Sequence, residues 1–187
     1  MKNLANFLLF QAGWFACVMA AADGQLWLGP LAVLGVVVLH LAFVTQPEHR
    51  RRELGYIIAV GLLGLLADTG LGWLGATHYP TSEEVGGLSL APPWIVALWV
   101  LFATLPHHSL SWLTKRPWLS VVFGAFGGPL SYLAGVRMGA VAVGESALLT
   151  WGALAIEYAL VTPLMLHFAR SEKLTMTRVD KLRDPSI

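Results

Sequence analysis

The sequence predicts an all-α, polytopic membrane protein of six transmembrane helices with both termini in the cytoplasm. Three observations predict it. Hydrophobic residues make up 56% of the 187-residue chain and charged residues 12%, whereas soluble domains carry about 25% charged residues. The apolar residues gather in six stretches, each near the roughly 20 residues that cross a hydrocarbon core as a helix. Lysine and arginine, threaded through those stretches, fall almost entirely on one side. The composition excludes nucleic-acid binders, disulfide scaffolds and coiled coils, and the length allows one bundle over residues 1–169 with a short cytoplasmic tail over 170–187.

The first stretch is Leu4 to Ala22. With Lys2 before it and Ala20-Ala21-Ala22 before Asp23, it resembles a secretory signal with a small-residue cleavage site, but its charged region is thin and Gln11 and Trp14 interrupt it, so a retained span is expected. Its Cys17 is the only cysteine, which excludes an internal disulfide and reads as a small packing residue. Leu26 to Val44 is the second span and carries His40. The third, Leu54 to Ala76, places Gly61, Gly64, Asp68, Gly72 and Gly75 at three- and four-residue spacing, so one helix face is small enough for another helix to approach closely. The fourth is Pro92 to Leu113, where Thr104, His108 and Ser111 share a helical face beside His107. In the fifth, Trp118 to Val136, Gly124, Gly128, Ser131 and Gly135 form a second small stripe, and Ser146 to Ala169 is the sixth. Pro106, Pro129 and Pro163 are expected to interrupt the last three helices and favour an enclosed polar pocket. All six are helices because a lipid-exposed backbone must satisfy its own hydrogen bonds.

Orientation follows from charge. With the N-terminus inside, 11 of the 12 basic residues are cytoplasmic and only Arg137 is external, as the positive-inside rule requires. The connection with Glu83 and Glu84 and the turn at Asp23 are then external. Trp27, Trp73, Tyr79 and Trp94 are placed near the outer interface, and Trp112 and Trp118 near the inner one. Arg50-Arg51-Arg52 reads first as a topology signal and second as a contact for anionic lipid.

Acids inside spans are the informative residues, because an ionised side chain at the bilayer centre costs about 2.5–3.5 kcal/mol. Asp68 and the nearly central Glu157 are therefore candidate proton-transfer groups together with His108. Each also has a packing reading, as a hydrogen-bonded acid that fixes the helices. Gln11, His40, Thr104, His107, Ser111, Ser131 and Tyr132 are candidate ligand-binding residues. Gln11, His40, His107, His108 and Glu157 all fall within about 10 Å of the bilayer midplane, so they have the depth to converge. His49, His78 and His167 lie at or beyond the interfaces. No P-loop, nucleophile elbow, HExxH or EF-hand loop is present, and no span contains a lysine for a Schiff base. A zinc site from His40, His107 or His108 with an acid lacks diagnostic spacing, and Ser109 or Ser111 makes only a weak Ser-His arrangement. No cofactor or metal is expected.

Residues 6–17, Asn6-Phe-Leu-Leu-Phe-Gln-Ala-Gly-Trp-Phe-Ala-Cys17, then His108-Ser-Leu-Ser-Trp-Leu113, and above all Gly127-Gly-Pro-Leu-Ser-Tyr-Leu-Ala-Gly135 resemble the bacterial inner-membrane family catalogued as domain of unknown function 2878. The resemblance covers nearly the whole chain and implies membership without an activity. In the family pattern an asparagine precedes the histidine of the His-Ser-Leu run. Here His107 stands in that place, which favours His108 as the shared residue. Family members are encoded near enzymes resembling cyclopropane-fatty-acid synthases, which implies membrane lipid as ligand or substrate. The expected function is thus binding or modification of membrane lipid at an intramembrane pocket. The alternatives are a small proton-coupled transporter, with Asp68 and Glu157 at corresponding places in two three-helix halves, and a structural or assembly subunit with protein partners unspecified.

Overall fold

Each apolar stretch forms a helix, but not over its whole predicted length. The computed structural model describes residues 2–79, 84–85 and 88–183, with side-chain surroundings for 2–79 and 90–171. Six α-helices follow in order: α1 Lys2–Ala22, α2 Leu28–Leu39, α3 Arg50–Trp73, α4 Pro93–Phe102, α5 Pro117–Met138 and α6 Ala147–Arg183. Four of them, over Lys2–Ala22, Pro47–Trp73, Pro117–Met138 and Ala147–Ser171, are long and apolar enough to cross a membrane; Leu28–Val44 and Pro93–Phe102 are shorter. Large apolar side chains such as Leu31, Leu62, Leu66, Phe126 and Leu160 are more than half exposed around the bundle. Such a surface belongs in lipid.

Long-range contacts define two ends. At one, the start of α1, the end of α2, the start of α3, residues 104–109 and Ala169 of α6 meet through side-chain hydrogen bonds and an ion pair. This is the basic end, where Lys2, Arg50, Arg51, Arg52 and Arg170 cluster. At the other, the hairpin end, strand β1 (Thr77–His78) pairs antiparallel with β4 (Ala142–Val143), tying the α3–α4 connection to the α5–α6 connection. Thr150 Oγ1 donates to the Ala76 carbonyl there at 2.5 Å. A second short pair, β2 (Glu84–Val85) with β3 (Leu88–Ser89), lies in the α3–α4 connection. Glu83 and residues 184–187 lie outside the described residues. Gly75 and Gly139 turn the chain out of α3 and α5 with φ of +68° and +85°, a backbone conformation that costs a residue with a Cβ.

The glycine stripes do what close packing needs. A Cβ at Gly64 would overlap the Trp99 indole, and one at Gly61 would lie 2.8 Å from Val100, so the α3 stripe receives α4. A Cβ at Gly124 or Gly128 would strike Tyr158, so the α5 stripe receives α6.

The fourth span is the main correction. It stops at Phe102, and residues 103–112 form successive turns before a 3₁₀ turn at Leu113–Lys115. Pro106 cannot donate to a helical carbonyl, Thr104 Oγ1 ties back to the Leu101 carbonyl at 2.7 Å, and Asn6 takes the Thr104 carbonyl at 3.0 Å. Thr104, His108 and Ser111 therefore do not share a helical face. Pro129 and Pro163 sit inside continuous helices. The second span ends in a π-helical turn, His40–Val44, closed by Thr45 N–H to the His40 carbonyl at 3.0 Å. The last helix does not stop at Ala169 but runs on to Arg183.

Candidate functional site

Two buried carboxylates stand on one stripe of α3. Glu53, Ile57, Gly61, Gly64 and Asp68 follow at helical spacing, and the separation of 15 positions between the two acids corresponds to about 22 Å. Glu53 is 3% exposed and Asp68 0%.

Around Glu53, donors and acceptors fix the protons. Asn6 Nδ2 donates to the Thr104 carbonyl at 3.0 Å, and Asn6 Oδ1 accepts the Ser109 N–H at 3.2 Å and its hydroxyl at 2.6 Å. The amide is thereby oriented. Its remaining N–H points at His40 Nδ1, 3.3 Å away, which must be a bare lone pair. His40 therefore carries its proton on Nε2 and donates it to Glu53 Oε1 at 3.0 Å. His107 Nε2 faces the Ala169 carbonyl at 3.1 Å, so that nitrogen is an N–H. Its Nδ1 lies 2.7 Å from Glu53 Oε2. Two lone pairs at that separation repel, so the contact calls for one proton, and carried by the imidazole it makes an ion pair with the Glu53 carboxylate. The His40 and His108 rings meet edge-on with centroids 4.9 Å apart, and Tyr56 packs on His107 at 5.1 Å.

His40, Glu53 and His108 offer ligand atoms within 4.8 Å of one another, a spacing that invites a metal. The surrounding bonds fit it poorly. Coordination through His40 Nε2 moves its proton to Nδ1, against the Asn6 N–H, whereas metal-bound histidines normally turn their other N–H to an acceptor.

Asp68 has a different shell. Tyr79 donates to Oδ1 at 2.6 Å, Tyr132 donates to the same oxygen, and Trp99 Nε1 donates to Oδ2 at 2.5 Å. The two phenol oxygens are 2.8 Å apart. Every partner is a neutral donor, so both carboxyl oxygens are satisfied without a basic residue. Burial first, and the charge of Asp68 next, push the Tyr79 hydroxyl well above its ordinary value, which keeps it a donor. Trp99 stacks on Tyr158 at 5.1 Å, carrying the cluster to α6. Next to Tyr158, both carboxyl oxygens of Glu157 are buried without a hydrogen-bond partner among the described residues.

Between these centres lies a cavity of about 610 Å³ walled by α1, α4, α5 and α6. Most of its lining is aromatic and aliphatic, from Phe7 and Leu110 toward the basic end to Val18 and Trp94 toward the hairpin end. From Phe7 to Val18 the wall runs about 16 Å along α1. Its polar lining includes Gln11, Ser109, Ser131, Tyr132 and Thr162. Ser109 has given its proton to Asn6 and presents lone pairs. Ser131 accepts Trp14 Nε1 at 3.1 Å and keeps its hydroxyl proton to give. Thr162, 1% exposed, has no partner for its hydroxyl among the described residues.

The candidates therefore separate. His40, His107 and His108 come together, with Thr104 held nearby through Asn6. Asp68 and Tyr132 form the other centre; Gln11, Ser131 and Tyr132 line the cavity. Among the described residues Ser111 enters bonds through its backbone, from its N–H to the His108 carbonyl and from Thr114 Oγ1 to its own carbonyl. Glu157 does not join His108: it lies 12 residues, about 18 Å of helix, from the Ala169 carbonyl that His107 meets. The acid beside the histidines is Glu53, which the sequence reading placed before the third span. Asn6, Tyr79 and Trp99 were also missed. Extending the α3 stripe by two turns, from Gly61 to Ile57 and Glu53, is the signal that finds Glu53.

A bundle of apolar helices enclosing two buried carboxylates and an apolar cavity defines a polytopic helical membrane protein. No curated protein and no solved structure matches the chain. It belongs to the family described as protein of unknown function (DUF2878), whose model matches residues 3–164.

Proposed function

We propose that this protein is a six-span protein of the bacterial inner membrane, both termini cytoplasmic, that holds a lipid acyl chain in the cavity between α1, α4, α5 and α6. The cavity carries the reading: its length and apolar walls suit a chain, while Ser109, Ser131 and Thr162 offer hydrogen bonds to a hydroxyl or ester. The clustering of basic residues at one end supports the orientation. Single cysteines placed at Arg51 and at His78, in a Cys17→Ala background, are expected to label only from the cytoplasmic and only from the external side.

Gly127 provides the test of the cavity. It lines the wall, and a Cβ there meets only Phe123 ring carbons at 3.8 and 4.0 Å, so Gly127→Leu fills space without displacing backbone. The wild type, purified in mild detergent, is expected to retain an acyl lipid by native mass spectrometry, and the variant to lose it at an unchanged Tm. Equal retention by both contradicts the reading. One observation favours a second reading, proton-coupled transport: the proton between Glu53 and His107 is linked through His40 and Asn6 to Ser109 in the cavity wall. Ligand-driven proton uptake into liposomes, abolished by Glu53→Gln, separates transport from binding.

A further inference from the structure

A second groove opens on the outside of the bundle, between α3 and α6 at the basic end, with a volume of about 720 Å³. It is separate from the cavity above. Its floor is made by the buried Tyr56, Val60 and Met165, its α3 side by the small, exposed Gly55 and Ala59, and its far end by Leu63, about 16 Å along α3 from Arg52. Leu164 and Phe168 of α6 form the opposite wall and are exposed. At the mouth stands Arg52, also exposed, and no acidic side chain among the described residues lines the groove. Arg52 thus places a cation at the level where the apolar surface ends, with the trough beneath it.

We propose that this groove binds one anionic glycerophospholipid, its phosphate on the Arg52 guanidinium and an acyl chain laid along Gly55 and Ala59. Guanidinium matches phosphate by paired hydrogen bonds as well as charge. A cation at the edge of the apolar zone meets the headgroup region without being desolvated, and the small residues on the α3 side let the chain lie against that backbone instead of over side chains. The proposal requires the bundle to lie in a bilayer. It does not depend on which side the basic end faces or on what fills the inner cavity.

Binding of palmitoyl-oleoyl phosphatidylglycerol and of phosphatidylcholine with the same chains is measured by native mass spectrometry on the purified full chain. The wild type is expected to prefer phosphatidylglycerol by about five-fold, the effect of one basic residue near a lipid surface. Arg52→Gln is expected to erase that preference while still binding both lipids. Gly55→Leu, where a Cβ meets nothing within 4 Å, is expected to fill the trough and release the bound lipid with the fold intact, as an unchanged Tm reports. Gly127→Leu leaves this site untouched, so loss of the inner ligand and loss of the groove lipid are read apart. Equal binding of the two lipids by the wild type, or full preference in Arg52→Gln, overturns the proposal. So does a lipid-free dimer that dissociates in Gly55→Leu, which assigns the groove to a second copy of the chain.

Discussion

Glu53 and Asp68 occupy the same face of the same helix, are both buried, and differ in what surrounds them. Asp68 accepts from two phenols and an indole, none of which changes charge near neutral pH. Glu53 accepts from one imidazole and stands 2.7 Å from the ring nitrogen of another. The first arrangement surrounds its acid with neutral donors and locks α3, α4 and α5 together. The second sets its acid between two imidazoles, a side chain whose charge changes near neutral pH. Burial alone therefore does not separate a packing acid from a chemical one; the donors around it do.

Replacing the Asp68 carboxyl is expected to have the largest effect. Asp68→Asn keeps one acceptor oxygen but turns an N–H toward a Tyr or Trp donor, leaving buried donors unpaired at a cost of about 3 kcal/mol, roughly 10 °C in Tm. Thermal unfolding in detergent measures it, and a near-wild-type Tm would break the contrast with Glu53. Asn6→Ala comes next. It strips partners from the Thr104 carbonyl, the Ser109 N–H and His40 Nδ1, for an expected loss of about 2 kcal/mol. Glu53→Gln is expected to cost least, about 1 kcal/mol or less. Its amide oxygen accepts from His40, and its N–H donates to the Nδ1 of a neutral His107. If this variant unfolds as readily as Asp68→Asn, Glu53 is packing too.

The six helices were legible because each is strongly apolar, four of them over a length that crosses a membrane, and the glycine stripes of α3 and α5 were legible because close approach requires a repeated small face. The fourth span was overread. Hydropathy continues through Leu105, Leu110 and Leu113, but Pro106 and the bonds among Asn6, Thr104 and Ser109 decide the backbone there, and two of those partners are about 100 residues from the third in sequence. Asp68 stood out as a charge in an apolar run. Glu53 did not, since three arginines before it made it look like part of an interfacial charge cluster. Glu157 stood out for the same reason as Asp68, yet depth in a span does not say which face a helix turns to which neighbour, and so its pairing with His108 did not follow.

The central claim is that the Glu53 centre holds one proton at His107 on a scaffold that fixes His40 as the Nε2-protonated tautomer. Nitrogen-15 NMR of the histidine rings in the purified protein tests it most directly. The expected spectrum has His40 with a bare Nδ1 and a protonated Nε2, and a His107 whose Nδ1 protonation disappears in Glu53→Gln. A His40 protonated at Nδ1, or a His107 signal indifferent to Glu53→Gln, would contradict the account.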